Sequence, residues 1–143
     1  MKINQLSLFL ENKPGQVLGV CRALKDASID IRALTLADAG EFGILRLIAS
    51  DWRGASKVLT ERGYVVITTE VVAVEVPDRP GGLTDLLELL DGSGVNIEYI
   101  YTHTFSQRDS AVLICRFSDI DSAVARLQGS DINVISAGDI YQG

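Results

Sequence analysis

One histidine, His103, and two cysteines, Cys21 and Cys115, are all that this chain of 143 residues offers a soft metal or a covalent catalyst. There is no CxxC pair, so a zinc cluster is excluded on ligand count, and solitary thiols of this kind serve most often as small core residues. No Ser or Cys stands beside a plausible base, His103 has no carboxylate at useful spacing, and no phosphate-cradling glycine loop is present. The chain therefore reads as a non-enzyme that carries no cofactor. It also lacks any apolar stretch near the ~18 residues that a membrane helix needs. The start, MKINQLSLFLEN, alternates polar with apolar residues and has no small-residue cleavage site, so it reads as a strand and not a signal peptide. No membrane contact is expected, and a cytoplasmic setting follows. Basic clusters are missing as well: 13 Lys and Arg are scattered among 19 acids, for a net charge of −6. Nucleic-acid binding is disfavoured, because that affinity comes from clustered cations displacing counterions.

What is present is apolar and periodic. Hydrophobic residues make up 47% of the chain, with a mean hydropathy of +0.21, a surplus that suits an internal or subunit interface. Ile3 to Leu10 alternates as a strand; Val17, Val20, Cys21 and Leu24 then fall on one stripe of a helix, with Pro14 in its first turn. Strands are expected over 29–36 and 42–49, joined by a hairpin turn at Asp38-Ala39-Gly40. A second helix opens at Asp51 and stops at Gly63, and a fourth strand starts over 64–67. From Glu70 the pattern recurs: strand 71–76, a turn at Pro80-Gly81-Gly82, a helix stripe of Leu83, Leu86, Leu87 and Leu90, and a strand-like stretch over 95–105. A turn at Gln107-Arg108-Asp109, a strand over 111–117, a short helix over 119–127 and a last strand over 132–135 complete it.

The two halves keep register. Pro80 lies 66 residues after Pro14, and the same offset carries Gly15 to Gly81, Val20 to Leu86, Leu24 to Leu90, Asp30 to Asn96 and Ile31 to Ile97. Beyond the second hairpin the offset becomes 68, matching Asp51 to Asp119 and Leu59 to Leu127. This is an internal duplication. Each copy reads β-α-β-β-α-β, which folds most simply as an antiparallel sheet with both helices on one face. The fold class expected is thus α+β, with two ferredoxin-like βαββαβ units, 1–69 and 70–143, whose antiparallel sheets lie side by side as about eight strands with the helices on one face. RNA-recognition motifs share that topology, but the third strands, FGILRLIA and AVLICRF, carry few of the stacking aromatics they need.

The stretches ENKPGQVLGVCRALKDASIDI and PDRPGGLTDLLELLDGSGVNIEYI resemble the opening of an ACT domain, the small-molecule-binding regulatory module of amino-acid metabolism. In that pattern a strand meets Asp or Asn, any residue, Pro-Gly, a helix, and then an Asn or Asp before Ile at the second strand. The resemblance covers nearly the whole chain, twice. It implies a pair of ACT domains that binds a small amino acid and signals through domain orientation or oligomerisation. By position, Asn12, Pro14, Gly15, Gln16, Val17 and Leu18 form one binding lip. Asp78, Arg79, Pro80, Gly81, Gly82, Leu83 and Thr84 form the other. Asp30 with Ile31, and Asn96 with Ile97, supply the strand starts that, in the family, face such a lip from another unit. Physics gives such a turn a reason to bind: unpaired first-turn N–H groups and the helix dipole favour a carboxylate, and glycine lets a ligand approach the backbone.

Each of these residues has a plainer role. The turns are good strand-to-helix connections in any fold, Asn12 and Asp78 suit Asx turns, and Arg79 beside Asp78 and Asp85 suits a solvated charge. Asp30 departs from the usual amide, and its carboxylate would repel a ligand's own. Tyr99, Tyr101, His103 and Phe105 alternate onto one face that suits a subunit or interdomain contact, as does Trp52, while Leu89 falls off the helix stripe and hints at a further contact. The expected partners are an amino acid, a second copy in a homodimer, and an enzyme of amino-acid metabolism. The rival reading is an ACT scaffold that dimerises or docks on such an enzyme without a ligand of its own.

Overall fold

The computed structural model describes residues 1–103 and 109–142. Its element order is β1 (Ile3–Glu11), α1 (Gln16–Asp26), β2 (Ile31–Ala39), β3 (Phe42–Ala49), α2 (Trp52–Glu61), β4 (Val66–Pro77), α3 (Gly82–Leu90), β5 (Ile97–Thr102), β6 (Ser110–Phe117), α4 (Ile120–Gln128), β7 (Asn133–Ile135) and α5 (Ala137–Gln142). Two compact units emerge, one of Asn4–Thr69 with Tyr141–Gly143 and the other of Met1–Ile3 with Glu70–Ile140. The architecture is α+β, with antiparallel strand pairs and βαββαβ order in each half, the ferredoxin-like arrangement.

In the N-terminal unit β3 pairs with both β1 and β2, and in the C-terminal unit the order is β5-β6-β4-β7, all antiparallel. Alternation along the strands sends Leu6, Leu8, Leu10, Leu45 and Leu47 to the helix side, where they pack on Val20, Ala23, Leu24, Ala55 and Leu59. The second core repeats this with Val72, Val74, Cys115 and Phe117 against Leu86, Leu90, Ala123 and Leu127. Asp51 and Asp119 occupy matched N-caps, their carboxylates accepting from Gly54 N at 3.0 Å and Ser122 N at 3.1 Å. Duplication thus extends to the capping bonds.

Five features depart from the sequence expectations. Strands 64–67 and 71–76 are one continuous element, β4, because residues 68–70 are Thr-Thr-Glu with no turn former among them, so the described residues hold seven strands where about eight were expected. Helix α5 was not anticipated; Ser136 Oγ accepts from Asp139 N at 3.2 Å and starts a helix too short to show periodicity. Pro14 lies in the turn ahead of α1, not in its first turn, and the hairpin turns at Gly40 and Glu41, with Ala39 still in the strand. On α3 Leu86 and Leu90 are buried and Leu89, half-buried, packs against the same core, whereas Leu83 and Leu87 are exposed. Phe105 and the Gln107-Arg108 part of the expected turn lie outside the described residues.

Candidate functional site

Both Pro-Gly turns are built alike. After β1, Lys13 N donates to Glu11 O at 2.9 Å, and after β4, Arg79 N donates to Pro77 O at 3.0 Å. Gly15 and Gly81 then open α1 and α3 at φ +89° and +91°, a left-handed conformation that favours glycine. A Cβ at either position would meet nothing within 4 Å, so conformation alone, and not crowding, accounts for the residue type. Each turn is pinned to the hairpin of its own unit, Asn12 N to Glu41 O and Asp78 N to Asp109 O, both at 2.8 Å. Asn12 adds a second tie, its Nδ2 donating to Gly40 O at 3.1 Å. Its side chain therefore bonds 28 residues away and not within an Asx turn. In α1 the first intrahelical bond runs from Gly19 N to Gly15 O, which leaves the amides of Gln16, Val17 and Leu18 directed past the helix start.

Beneath the first turn lies a cavity of about 260 Å³. Leu10, Val17, Leu36 and Gly43 form its apolar part, and Glu11, Asn12, Lys13, Gln16 and Asp38 its polar rim. Lys13 Nζ sits 2.6 Å from Glu11 Oε2, which neutralises that carboxylate, and Asp38 has no ionic partner among the described residues. Of the residues assigned to this lip, Asn12, Gln16 and Val17 line the cavity, while Pro14, Gly15 and Leu18 do not. Leu36, Asp38 and Gly43 were missed by sequence reading. A glycine inside a strand was the available signal, since it marks a hollow or a close approach.

The second lip differs. Gly82 is buried, and a Cβ there would collide with the Pro77 carbonyl oxygen, so this glycine serves packing and not ligand approach; Gln16 stands at the matching position of the first copy. Arg79 Nη2 lies 3.6 Å from Asp85 Oδ2, and Leu83 and Thr84 are exposed.

Asp30 and Ile31 sit at the far end of α1 from the turn, about 16 Å away for its 11 residues at 1.5 Å each. They line an open cleft of about 430 Å³ with Cys21, Leu24, Lys25 and Ser28. Asn96 and Ile97 line its counterpart of about 290 Å³, with Leu87, Leu90, Asp91 and Gly94. The two clefts match residue for residue, down to the left-handed Ser28 at φ 58° and Gly94 at φ 78°. Each strand start is clamped by a paired bridge: Asp30 N to Ser50 Oγ and Ser50 N back to Asp30 O, Asn96 N to Ser118 Oγ and Ser118 N back to Asn96 O. Arg32 Nη1 pairs with Asp30 Oδ2 at 2.8 Å, so the repulsion expected of an isolated carboxylate is offset. Within either unit, therefore, turn and strand start are not brought together.

A family model for the ACT domain pair matches residues 1–141. The chain belongs to the ACT domain pair family. A crystal structure of protein BT0572 from Bacteroides thetaiotaomicron is 36% identical, covers 100% of this chain and 98% of its own, and superimposes with a TM-score of 0.93. The regulatory subunit of aspartate kinase from Thermus thermophilus, in its ligand-free form, matches over 87% of this chain and 88% of its own at 17% identity and TM-score 0.66, a likeness of fold. Its counterpart from Thermus flavus matches over 88% and 90% at 16% identity and TM-score 0.58. No curated protein sequence matches.

Elsewhere in the ACT pair, His103 is buried, and its amide donates to Val112 O at 2.8 Å. Tyr99 and Tyr101 stack with centroids 6.5 Å apart, half-buried on the sheet face away from the helices. Trp52, half-buried, packs on the N-terminal core, with the Arg53 guanidinium 4.8 Å over its ring. Burial pushes the Cys115 thiol up to about 12. Among the described residues no group of three or more His, Cys, Asp or Glu side chains could hold a metal ion, and no helix is long and apolar enough to cross a membrane.

Proposed function

We propose that this ACT pair, with domains over 1–69 and 70–143, is a non-catalytic cytoplasmic sensor of a small amino acid. The observation that carries the reading is the N-terminal cavity, because one small hollow presents a zwitterion with complementary groups. The amides that start α1 suit a carboxylate, Asp38 suits an ammonium, and Leu10, Val17 and Leu36 suit a side chain. At about 260 Å³ it falls below the ~300–1,000 Å³ of pockets for drug-sized ligands, as a single metabolite requires. The fold shared with regulatory subunits of aspartate kinase supports the same role, with an enzyme of amino-acid metabolism as partner. Occupancy is signalled through domain orientation or oligomerisation of a homodimer, by differential affinity for the states involved.

Thermal unfolding with a panel of amino acids tests this. A ligand at ~100 times its dissociation constant stabilises by ~2.7 kcal/mol, an upward shift of several degrees. Absence of a shift with every amino acid would contradict the proposal. The second reading, a docking module without a ligand, draws on Phe9 and Phe42, exposed at 55% and 51%. It predicts no shift together with self-association that Phe9→Ser weakens.

A further inference from the structure

We infer that Gly43 and Leu36 set the size of the ligand side chain that the N-terminal cavity admits, and that this side chain is aliphatic. The inference rests on reading that cavity as the amino-acid site. Register places Gly43 opposite Leu10 on β1 and opposite Asp38 on β2, so it joins the apolar wall to the acidic rim. It occupies the helix-facing side of β3 with Leu45, Leu47 and Ala49, and alone among them has no side chain.

Backbone conformation does not demand a glycine here, because Gly43 is not among the positive-φ glycines. A glycine in a strand interior weakens it, so the position needs another reason. Space supplies one: a Cβ would stand 3.3 Å from Leu36 Cδ1 and 3.8 Å from the Ala37 carbonyl oxygen, and would narrow the hollow. At the matching position 68 residues on, the second copy carries Ala111, so the same fold accommodates a methyl group. The second copy thus carries a methyl group where the first has none. Leu36 closes the other side while half its surface stays in water, an exposure of 52% that leaves it free to adjust. With Leu10 and Val17 it makes an aliphatic wall without any aromatic ring, and the charges lie at the rim. Such a wall discriminates by volume, worth roughly 10- to 200-fold per methylene, and rejects charged side chains.

Calorimetric titration of the full chain with glycine, alanine, valine, leucine and phenylalanine tests the inference. Wild type should bind valine or leucine more tightly than glycine by at least about 10-fold. Gly43→Ala should weaken leucine by about 10-fold or more while changing glycine by less than about 2-fold, and Leu36→Ala should move the preference towards phenylalanine. Leu36 is exposed at an edge, so that variant keeps the test open if Gly43→Ala fails to fold. Binding that both folded variants leave in the same order would overturn the inference while the sensor reading stands. Absence of binding of any of the five to wild type would overturn the inference, and absence of binding of every amino acid would overturn both.

Discussion

The Asn12 side-chain amide donates to the Gly40 carbonyl across 3.1 Å, fastening the strand-to-helix turn to the hairpin that bears Asp38. The two halves of the cavity rim are thereby held at a fixed spacing. Asn12→Ala should cost about 0.5–1.5 kcal/mol of stability, as for one hydrogen bond, and should weaken amino-acid binding by more than that loss alone explains. Urea denaturation and titration on the same variant check both. Unchanged affinity would show that Asn12 only stabilises the turn.

Glu75 sits where Asn133 Nδ2 donates to one oxygen at 2.9 Å and Ser110 Oγ to the other at 2.7 Å. These bonds, Asn133 foremost, hold its carboxyl below the usual range. A depressed folded pKa gives stability that is present above the unfolded value of ~4.3 and is lost as pH falls through the folded value. The wild-type denaturation midpoint should therefore drop between about pH 5 and pH 3, and Glu75→Gln should drop less over that window. Parallel curves would contradict this.

Glycines of the second turn separate two physical causes. Gly82→Ala forces a methyl into the Pro77 carbonyl and should cost about 1–3 kcal/mol, as overpacking does. Gly81→Ala meets empty space but must hold φ near +91°, at about 1–2 kcal/mol. Chemical denaturation of the two variants checks both values.

Thiol labelling reads the second core. With its pKa at about 12 from burial, Cys115 should resist maleimide in the folded state at pH 8, while half-buried Cys21 reacts first. Mass spectrometry of the labelled chain should show Cys115 modified only in denaturant.

Much of this fold was legible because its signals are local. The change of period at Val17 and at Leu83, the turn glycines, and the capping aspartates Asp51 and Asp119 all act within a few residues. Where the signal was weak or degenerate, reading failed. Nothing between Val66 and Pro77 breaks a strand, and α3 carries Leu at 83, 86, 87, 89 and 90, so several stripes fit it equally well. The cavity was half legible for a different reason. Asn12, Gln16 and Val17 belong to the turn and the helix start, whereas Leu36, Asp38 and Gly43 arrive through strand register from 19 to 31 residues away. That register is a property of the folded sheet and not of any local stretch.

The central claim, that an amino acid occupies the hollow beneath the first Pro-Gly turn, is tested most directly by an amide chemical-shift titration of the labelled chain with valine. Saturable shifts at Asn12, Gln16, Val17 and Gly43 are predicted. Saturable shifts confined to residues outside the first turn and the β2–β3 hairpin, or none with valine and every other amino acid, would contradict it.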